Sequence, residues 1–135
     1  MEWILPKTGW NADSRMNTVD YNRIKNNLQT LSDLVNEVYC PISLENMGAD
    51  KGFTDWFYAR EFNVFERNVD FINQMAFFED IGVMKTFFDN GPFIDYEELN
   101  RIESAMLVFF NKAAAQKKTL PRLALTLGGA KGVKV

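Results

Sequence analysis

The chain has 135 residues, of which 47% are hydrophobic and 14% are aromatic. This composition is sufficient for the core of one folded domain and argues against a wholly disordered chain. It contains no run of about eighteen uncharged apolar residues, which a membrane-spanning helix would need. Its first residues lack the basic start and the long apolar stretch of a signal peptide. We therefore expect a soluble protein that is made in the cytosol.

The chain contains one cysteine, Cys40, and no histidine. A single cysteine cannot form an intramolecular disulfide, and the usual thiolate and imidazole ligands for zinc are missing. The lack of histidine also removes the commonest general base, although carboxylate or lysine chemistry stays open. These features predict a protein that is not an enzyme and that needs no metal or cofactor.

The charges are divided unevenly along the chain, whose formal net charge is −3. All 18 acidic residues lie at or before Glu103. The basic residues that follow it are Lys112, Lys117, Lys118, Arg122, Lys131 and Lys134. A basic tail can bind nucleic acid, but this one has no aromatic residue on which a base could stack. Pairing with an acidic neighbouring subunit explains the division at least as well.

Three segments have apolar residues spaced alternately three and four positions apart, which predicts three helices. The apolar residues of the first are Tyr21, Ile24, Leu28, Leu31, Val35 and Val38. Asn17 or Thr18 is a suitable N-cap for this helix, and Pro41 closes its far end. The second helix is predicted to start near Thr54 and to end at Gly82. Its stripe is Phe62, Phe65, Val69, Ile72 and Ala76, widened by Phe71, Met75 and Phe78.

The third helix is predicted from Tyr96 to about Lys117, and Asp95 and Glu98 have the spacing of a capping box at its start. Its stripe contains Leu99, Ile102, Met106, Phe109 and Ala113. The second and third helices carry more phenylalanine than one narrow stripe can bury. This surplus favours a subunit interface in addition to an intramolecular bundle, although short stripes of this kind also fit a coiled coil.

After the third helix the pattern changes to period two, with Leu123, Leu125 and Leu127 alternating with smaller residues. Period two predicts a short strand, which must pair with a strand from elsewhere in the chain or from a neighbouring subunit. The predicted fold is therefore mainly α. It consists of an extended N-terminal arm (residues 1–17), a three-helix bundle (18–118), and a C-terminal strand with a flexible basic tail (119–135).

A short motif occurs twice: residues 20–28 read DYNRIKNNL, and residues 95–106 read DYEELNRIESAM. One interpretation is that two helix starts share a cap, an early acid and an aromatic residue by coincidence. The other is a duplicated helix, whose Arg23 and Arg101 occupy related positions and pair with acids across the bundle.

Two parts of the chain resemble a known family. Residues 3–10 have the order Trp-x-x-Pro-Lys-Thr-x-Trp, and a linker rich in Asn and Asp separates them from the first Asn-Arg-Ile motif. This start resembles that of small structural proteins and fibre segments from the tails of phages and prophages of Gram-positive bacteria. Residues 120–129 also look like the short terminal strand of that family. The specific match covers residues 1–30 and, more loosely, the second motif and the tail.

The resemblance implies a non-enzymatic virion component, made in the host cytoplasm, at the tail tip or baseplate. Such a component links the tail to its fibres, works with other tail or baseplate subunits, and is commonly a homo-oligomer, often a trimer. The interface residues expected from this interpretation are Trp3, Pro6, Trp10, Tyr21, Arg23, Ile24, Arg101, Arg122, Leu123, Leu125 and Leu127. The alternative is a small adaptor or regulatory protein that binds nucleic acid through its basic C-terminal tail.

Overall fold

The computed structural model describes residues 2–14, 16–88 and 94–129, the last ten by their backbone only. Its α-helices are α1 (Thr18–Val38), α2 (Ala59–Ile72) and α3 (Tyr96–Gly129), and a π-helical turn (Asn73–Phe77) continues α2 directly. We call the nonhelical stretches segment 1 (residues 2–14), segment 2 (residues 40–57) and segment 3 (residues 78–88). The described residues contain no β-strand.

The start of α1 is fixed by a capping box. The Asn17 side chain accepts the Asp20 N–H at 3.0 Å, and the Asp20 carboxylate accepts the Asn17 N–H at 3.0 Å. Five of its six predicted stripe residues are buried, and Val38 is half-buried at the last turn. The predicted first helix is therefore confirmed, with Asn17 as its N-cap.

The start of α2 lies five residues beyond the predicted Thr54. Thr54 belongs instead to a turn in which the Asp55 N–H donates to the Gly52 carbonyl at 3.0 Å. The helix begins after Tyr58, whose N–H donates to the Glu61 carboxylate at 2.8 Å. Tyrosine is not a usual N-cap residue, so the sequence signal for a helix start is stronger at Thr54 than at the true start.

The end of α2 also differs from the prediction, because the π-helical turn replaces its last regular turn. A π-turn holds one more residue than an α-turn and so rotates the following side chains around the helix axis. Phe77 is buried as a result, whereas Phe78 adopts a left-handed backbone with φ of 56° and is 77% exposed. The prediction that Phe71, Met75 and Phe78 widen the buried stripe was wrong, since all three are exposed.

The third helix starts at Tyr96 as predicted, where the Asp95 carboxylate accepts the Glu98 N–H at 3.0 Å. It then continues as helix to Gly129, through the residues that were predicted to form a strand. The predicted terminal strand is therefore not confirmed. Leucine and alanine, which dominate residues 120–127, are strong helix formers, and their alternation alone does not exclude a helix.

The three helices run parallel to one another. Near the start of α1, Arg23 contacts Glu103 of α3, and near its end Glu37 contacts Lys117 of α3 at 3.0 Å. Tyr21 contacts Phe62 at the start of α2, and Tyr39 contacts Phe77 at the end of the π-helical turn that continues α2. Helices joined by short loops are usually antiparallel, so segments 2 and 3 are the connections that bring the chain back to the same end of the bundle.

The helices contribute equivalent residues to one core. The fourth, seventh, eleventh and fourteenth residues of each helix are buried and apolar. These layers are Tyr21, Phe62 and Leu99; Ile24, Phe65 and Ile102; Leu28, Val69 and Met106; and Leu31, Ile72 and Phe109. This correspondence, with contacts between all three helix pairs, gives the bundle an approximate threefold symmetry.

Candidate functional site

Six asparagines hold the nonhelical segments by their backbone. In each case the side-chain oxygen accepts the N–H of one residue and the side-chain amide donates to the carbonyl of that same residue, an arrangement that we call an asparagine clamp. The pairs are Asn27 with Ile4, Asn100 with Trp10, Asn68 with Glu45, Asn22 with Lys51, Asn73 with Glu79, and Asn63 with Phe87. The twelve hydrogen bonds measure 2.6–3.2 Å.

Five of these clamps follow the approximate threefold symmetry. The fifth residue of each helix, Asn22, Asn63 or Asn100, clamps the later part of a segment. The tenth residue of α1 and of α2, Asn27 or Asn68, clamps the earlier part of the segment that precedes that helix. The tenth residue of α3 is an alanine. Segments 1 and 2 are therefore each clamped by two helices. Segment 3 is clamped by Asn63 of α2 and by Asn73 of the π-helical turn that continues α2.

A buried ion pair joins α1 to α3. Glu103 is fully buried, and its carboxylate accepts two hydrogen bonds from Arg23, at 2.7 and 2.8 Å. It also accepts the Trp10 indole N–H at 2.7 Å and the Lys7 backbone N–H at 3.1 Å. Arg23 pairs in addition with Asp20, one turn earlier on α1. Burial lowers the pKa of Arg23, but the two carboxylates more than offset this and raise it above its ordinary value.

An equivalent ion pair joins α3 to α2. Arg101 pairs with the buried Glu66 of α2 and with Glu98, one turn earlier on its own helix. Here the carboxylate is less well satisfied, because Glu66 Oε1 has no hydrogen-bond partner among the described residues. Burial raises the pKa of Glu66, against the opposing effect of Arg101. Arg23 and Arg101 therefore occupy related positions in their helices, and each pairs with an acid across the bundle, as the sequence-based hypothesis expected.

The equivalent contact between α2 and α1 has different residues. Val64 occupies the place of the two arginines, and Lys25 occupies the place of the two buried glutamates. Lys25 is itself buried and pairs with Asp50 of segment 2. Lys51 lies 4.9 Å from the centre of the Tyr21 ring and pairs with Glu61 at 2.7 Å. The contact between α2 and α1 therefore has neither the arginine nor the buried glutamate of the other two contacts.

The residues predicted to form an interface mostly contact other parts of the same chain. Trp3 stacks on Phe110 with ring centres 4.1 Å apart, Pro6 and Trp10 are buried, and Tyr21 and Ile24 belong to the core. The side chains of Arg122, Leu123, Leu125 and Leu127 lie outside the described part of the structure, so their predicted role stays a prediction.

The apolar surface of the described chain includes four strongly exposed aromatic residues. They are Phe53 (97% exposed), Trp56 (76%), Phe78 (77%) and Phe88 (69%). Sequence reasoning attributed importance to Trp3 and Trp10 and missed Trp56. It also missed the asparagine clamps, although an asparagine two positions before a core residue in all three helices was a signal that could have revealed them.

No protein-family profile, curated protein or solved structure matches this chain. No described helix combines the length and the apolar character that a membrane crossing requires. Within residues 2–14, 16–88 and 94–119, no group of three or more acidic or cysteine side chains is placed to hold a metal ion. The geometry of the site is therefore the basis for a functional proposal.

Proposed function

We propose that this protein is a non-enzymatic structural component of a phage virion, an adaptor at the tail tip or baseplate that assembles with other tail subunits. The observation that carries the proposal is the exposure of Phe53, Trp56, Phe78 and Phe88 on a bundle that has a well-filled core of its own. Large aromatic side chains are enriched at protein interfaces, and exposed apolar patches mark interaction sites.

The internal framework supports an assembly role over a catalytic one. The buried charges Glu66 and Glu103 are engaged by arginines, and the clamping asparagines are occupied by the backbone of the chain itself. An active site needs polar groups that face a substrate, whereas these groups face inward and fix the segments on the helices. The sequence resemblance to phage tail proteins supplies the virion context.

The proposal is tested on phage particles from the bacterium that carries the gene. After prophage induction and density-gradient purification, mass spectrometry should detect the chain at a fixed ratio to the major tail protein. Antibodies against it should label one end of the tail in electron micrographs. Absence of the chain from washed, infectious particles would overturn the proposal, and loss of intact tails on deletion of the gene would support it.

The second candidate is an adaptor that binds nucleic acid, which the uninterrupted basic charge after Glu103 favours. Two of its lysines are already paired in the bundle, Lys112 with Glu79 and Lys117 with Glu37. Titration with duplex DNA at low and at moderate salt separates the two candidates. Binding through phosphate contacts must weaken steeply as salt rises, and the virion proposal predicts no such binding.

A further inference from the structure

The end of the bundle at which all three helices begin carries most of the exposed aromatic side chains. The helices are parallel and in register, so the connections that run from the clamped residues to the helix starts lie together at this end. We call this surface the helix-start face and define it by the described residues of 11–19, 52–60, 88 and 94–97. Its exposed aromatic residues are Phe53, Trp56, Tyr58, Phe88 and Tyr96, whereas the rest of the described chain exposes three, Tyr39, Phe71 and Phe78.

The area of these aromatic side chains is close to that of one side of a specific protein interface. The five on the helix-start face are 37–97% exposed. A whole aromatic side chain buries roughly 150–250 Å² when it is covered, so together they offer roughly 500–800 Å². A specific interface buries about 800 Å² on each partner, with aromatic residues at its centre and polar residues at its rim. The helix-start face has this area and this composition.

Phe53 and Trp56 lie on a connection that is held rigidly. The Asp55 N–H donates to the Gly52 carbonyl at 3.0 Å, and the Gly52 N–H donates to the Asp55 carboxylate at 2.6 Å. Just before this turn, Lys51 is clamped to α1 and pairs with the start of α2. An aromatic side chain on a rigid connection loses little conformational freedom on binding, which suits it to be the anchor of an interface.

The charges of the helix-start face restrict what can cover it. Its exposed acids are Asp13, Asp55, Asp95 and Glu97. Among the described residues of the face, Arg60 is the exposed base, and it stacks on Tyr58. Two copies of such a face would repel each other, and the face would also repel the phosphates of a nucleic acid. A protein surface with basic residues around an apolar centre complements both the charge and the aromatic area.

We propose that the helix-start face binds one other protein, whose contact surface is apolar at its centre and basic at its rim, and that Phe53 and Trp56 are the anchors of this contact. The proposal rests on the assembly role proposed above, and it identifies the surface and the kind of partner that this role requires. It does not depend on the phage context, because any protein of this description fits the face.

The first test is photo-cross-linking in cells after prophage induction. The photoreactive amino acid p-benzoyl-phenylalanine is placed at Phe53 or Phe88 on the helix-start face, or at the control sites Leu5 or Val83. The two control sites are 75% and 80% exposed but lie outside the face. Both positions of the face should form an adduct with the same other protein, and the control positions should not. Mass spectrometry of the adduct should locate an apolar contact peptide flanked by lysine or arginine.

The second test measures how tightly the purified partner binds full-length variants of this chain. Phe53→Ala combined with Trp56→Ala should weaken binding at least tenfold, because the two anchors are removed. The matched control, Leu5→Ala combined with Val83→Ala, should bind like the wild type. Circular dichroism establishes that all variants are folded, as expected for substitutions of exposed side chains.

The acidic rim is tested in the same assay. Asp13→Asn combined with Glu97→Gln removes two exposed charges of the face. This variant should associate more slowly than the wild type and with a weaker dependence on salt, while its dissociation rate changes little.

An adduct with a second copy of this chain, adducts of equal yield at the control sites, or no adduct at all would each overturn the proposal. A purified partner that binds the Phe53 and Trp56 variant as tightly as the wild type would also overturn it. Failure of the proposed function is distinguishable: a partner that binds the helix-start face but is not a tail component overturns the virion role alone. A chain that is present in particles but gives no adduct at Phe53 overturns only this contact.

Discussion

Glu66 and Glu103 occupy equivalent places in the bundle but differ in how many hydrogen bonds they accept, so the same substitution should have different costs. Glutamine has nearly the shape of glutamate but offers one oxygen and one amide group. At Glu103 four donors converge on two oxygens, so Glu103→Gln leaves two of them facing an amide that donates. At Glu66 the donors are Arg101 and the backbone N–H of Lys85, so fewer donors lose their acceptor there in Glu66→Gln.

The expected magnitudes follow from this count. Each buried donor left without an acceptor costs about 1–3 kcal/mol, and breaking a buried ion pair costs about 3–5 kcal/mol. Glu103→Gln should therefore lower the free energy of unfolding by about 3–5 kcal/mol. Glu66→Gln also breaks a buried ion pair, with Arg101. It leaves fewer donors without an acceptor, however, and it removes the cost of a buried carboxylate with an unpaired oxygen, so it should lower the free energy of unfolding by about 1–3 kcal/mol.

The assay is urea unfolding followed by far-ultraviolet circular dichroism, with equal slopes required of the wild type and both variants. Tryptophan fluorescence gives a second probe, because the indole of Trp10, one of three tryptophans, donates to Glu103 and not to Glu66. Equal destabilisation by the two substitutions would refute the argument that hydrogen-bond number decides the cost. A larger effect at Glu66 would refute it more strongly.

Three further predictions concern pH, a glycine and a clamp. The pKa of Glu66 is raised above 4.5, so the folded protein binds this proton more tightly than the unfolded chain does. The contribution of Glu66 to stability should grow as pH falls through its folded pKa towards 4.5. In urea titrations, the difference in the free energy of unfolding between the wild type and Glu66→Gln should depend on pH in that range and should be constant at pH values well above the folded pKa. Gly82 has φ of +83°, and an added Cβ would lie 2.8 Å from the side chain of Arg101. Gly82→Ala should therefore lower the free energy of unfolding by about 1–2 kcal/mol, as measured by thermal unfolding. Gly9 has open space around it, so the control Gly9→Ala should be near neutral in the same assay. Asn68→Ala should cost about 1–2 kcal/mol and speed hydrogen exchange at the Glu45 amide, and an amide that stays protected would contradict the clamp.

The helices could be predicted from sequence wherever the local signals agreed. In α1 the apolar spacing and the Asn17 cap point to the same boundaries, and the structure has them. In α2 the signals disagree, because Thr54 is a better N-cap residue than Tyr58, which is the observed N-cap. The apolar pattern also gives no indication of the π-helical turn. The extra residue of a π-helical turn rotates the following side chains around the helix axis, so the buried face no longer follows the predicted apolar spacing. For this reason Phe77 is buried and Phe78 is not.

The threefold arrangement was harder to predict because the second helix does not carry the repeated motif. The Asn-Arg-Ile motif is intact in α1 and α3, but in α2 it reads Asn63-Val64-Phe65, so only two copies could be recognised by identity. What persists in all three is the asparagine and the apolar residue two positions later. The contacts between distant parts of the chain explain the presence of both residues in every helix. The asparagine clamps a segment, and the apolar residue fills the core.

The asparagine clamps determine which substitutions the segments can accept. A clamp binds the peptide group of the clamped residue and makes no contact that depends on its side chain, so exposed residues such as Ile4 and Glu45 can be exchanged without loss of the two hydrogen bonds. Proline is the exception, because it has no N–H to donate. The exposed side chains of the segments can therefore be exchanged while the inner framework of helices and clamps stays constant.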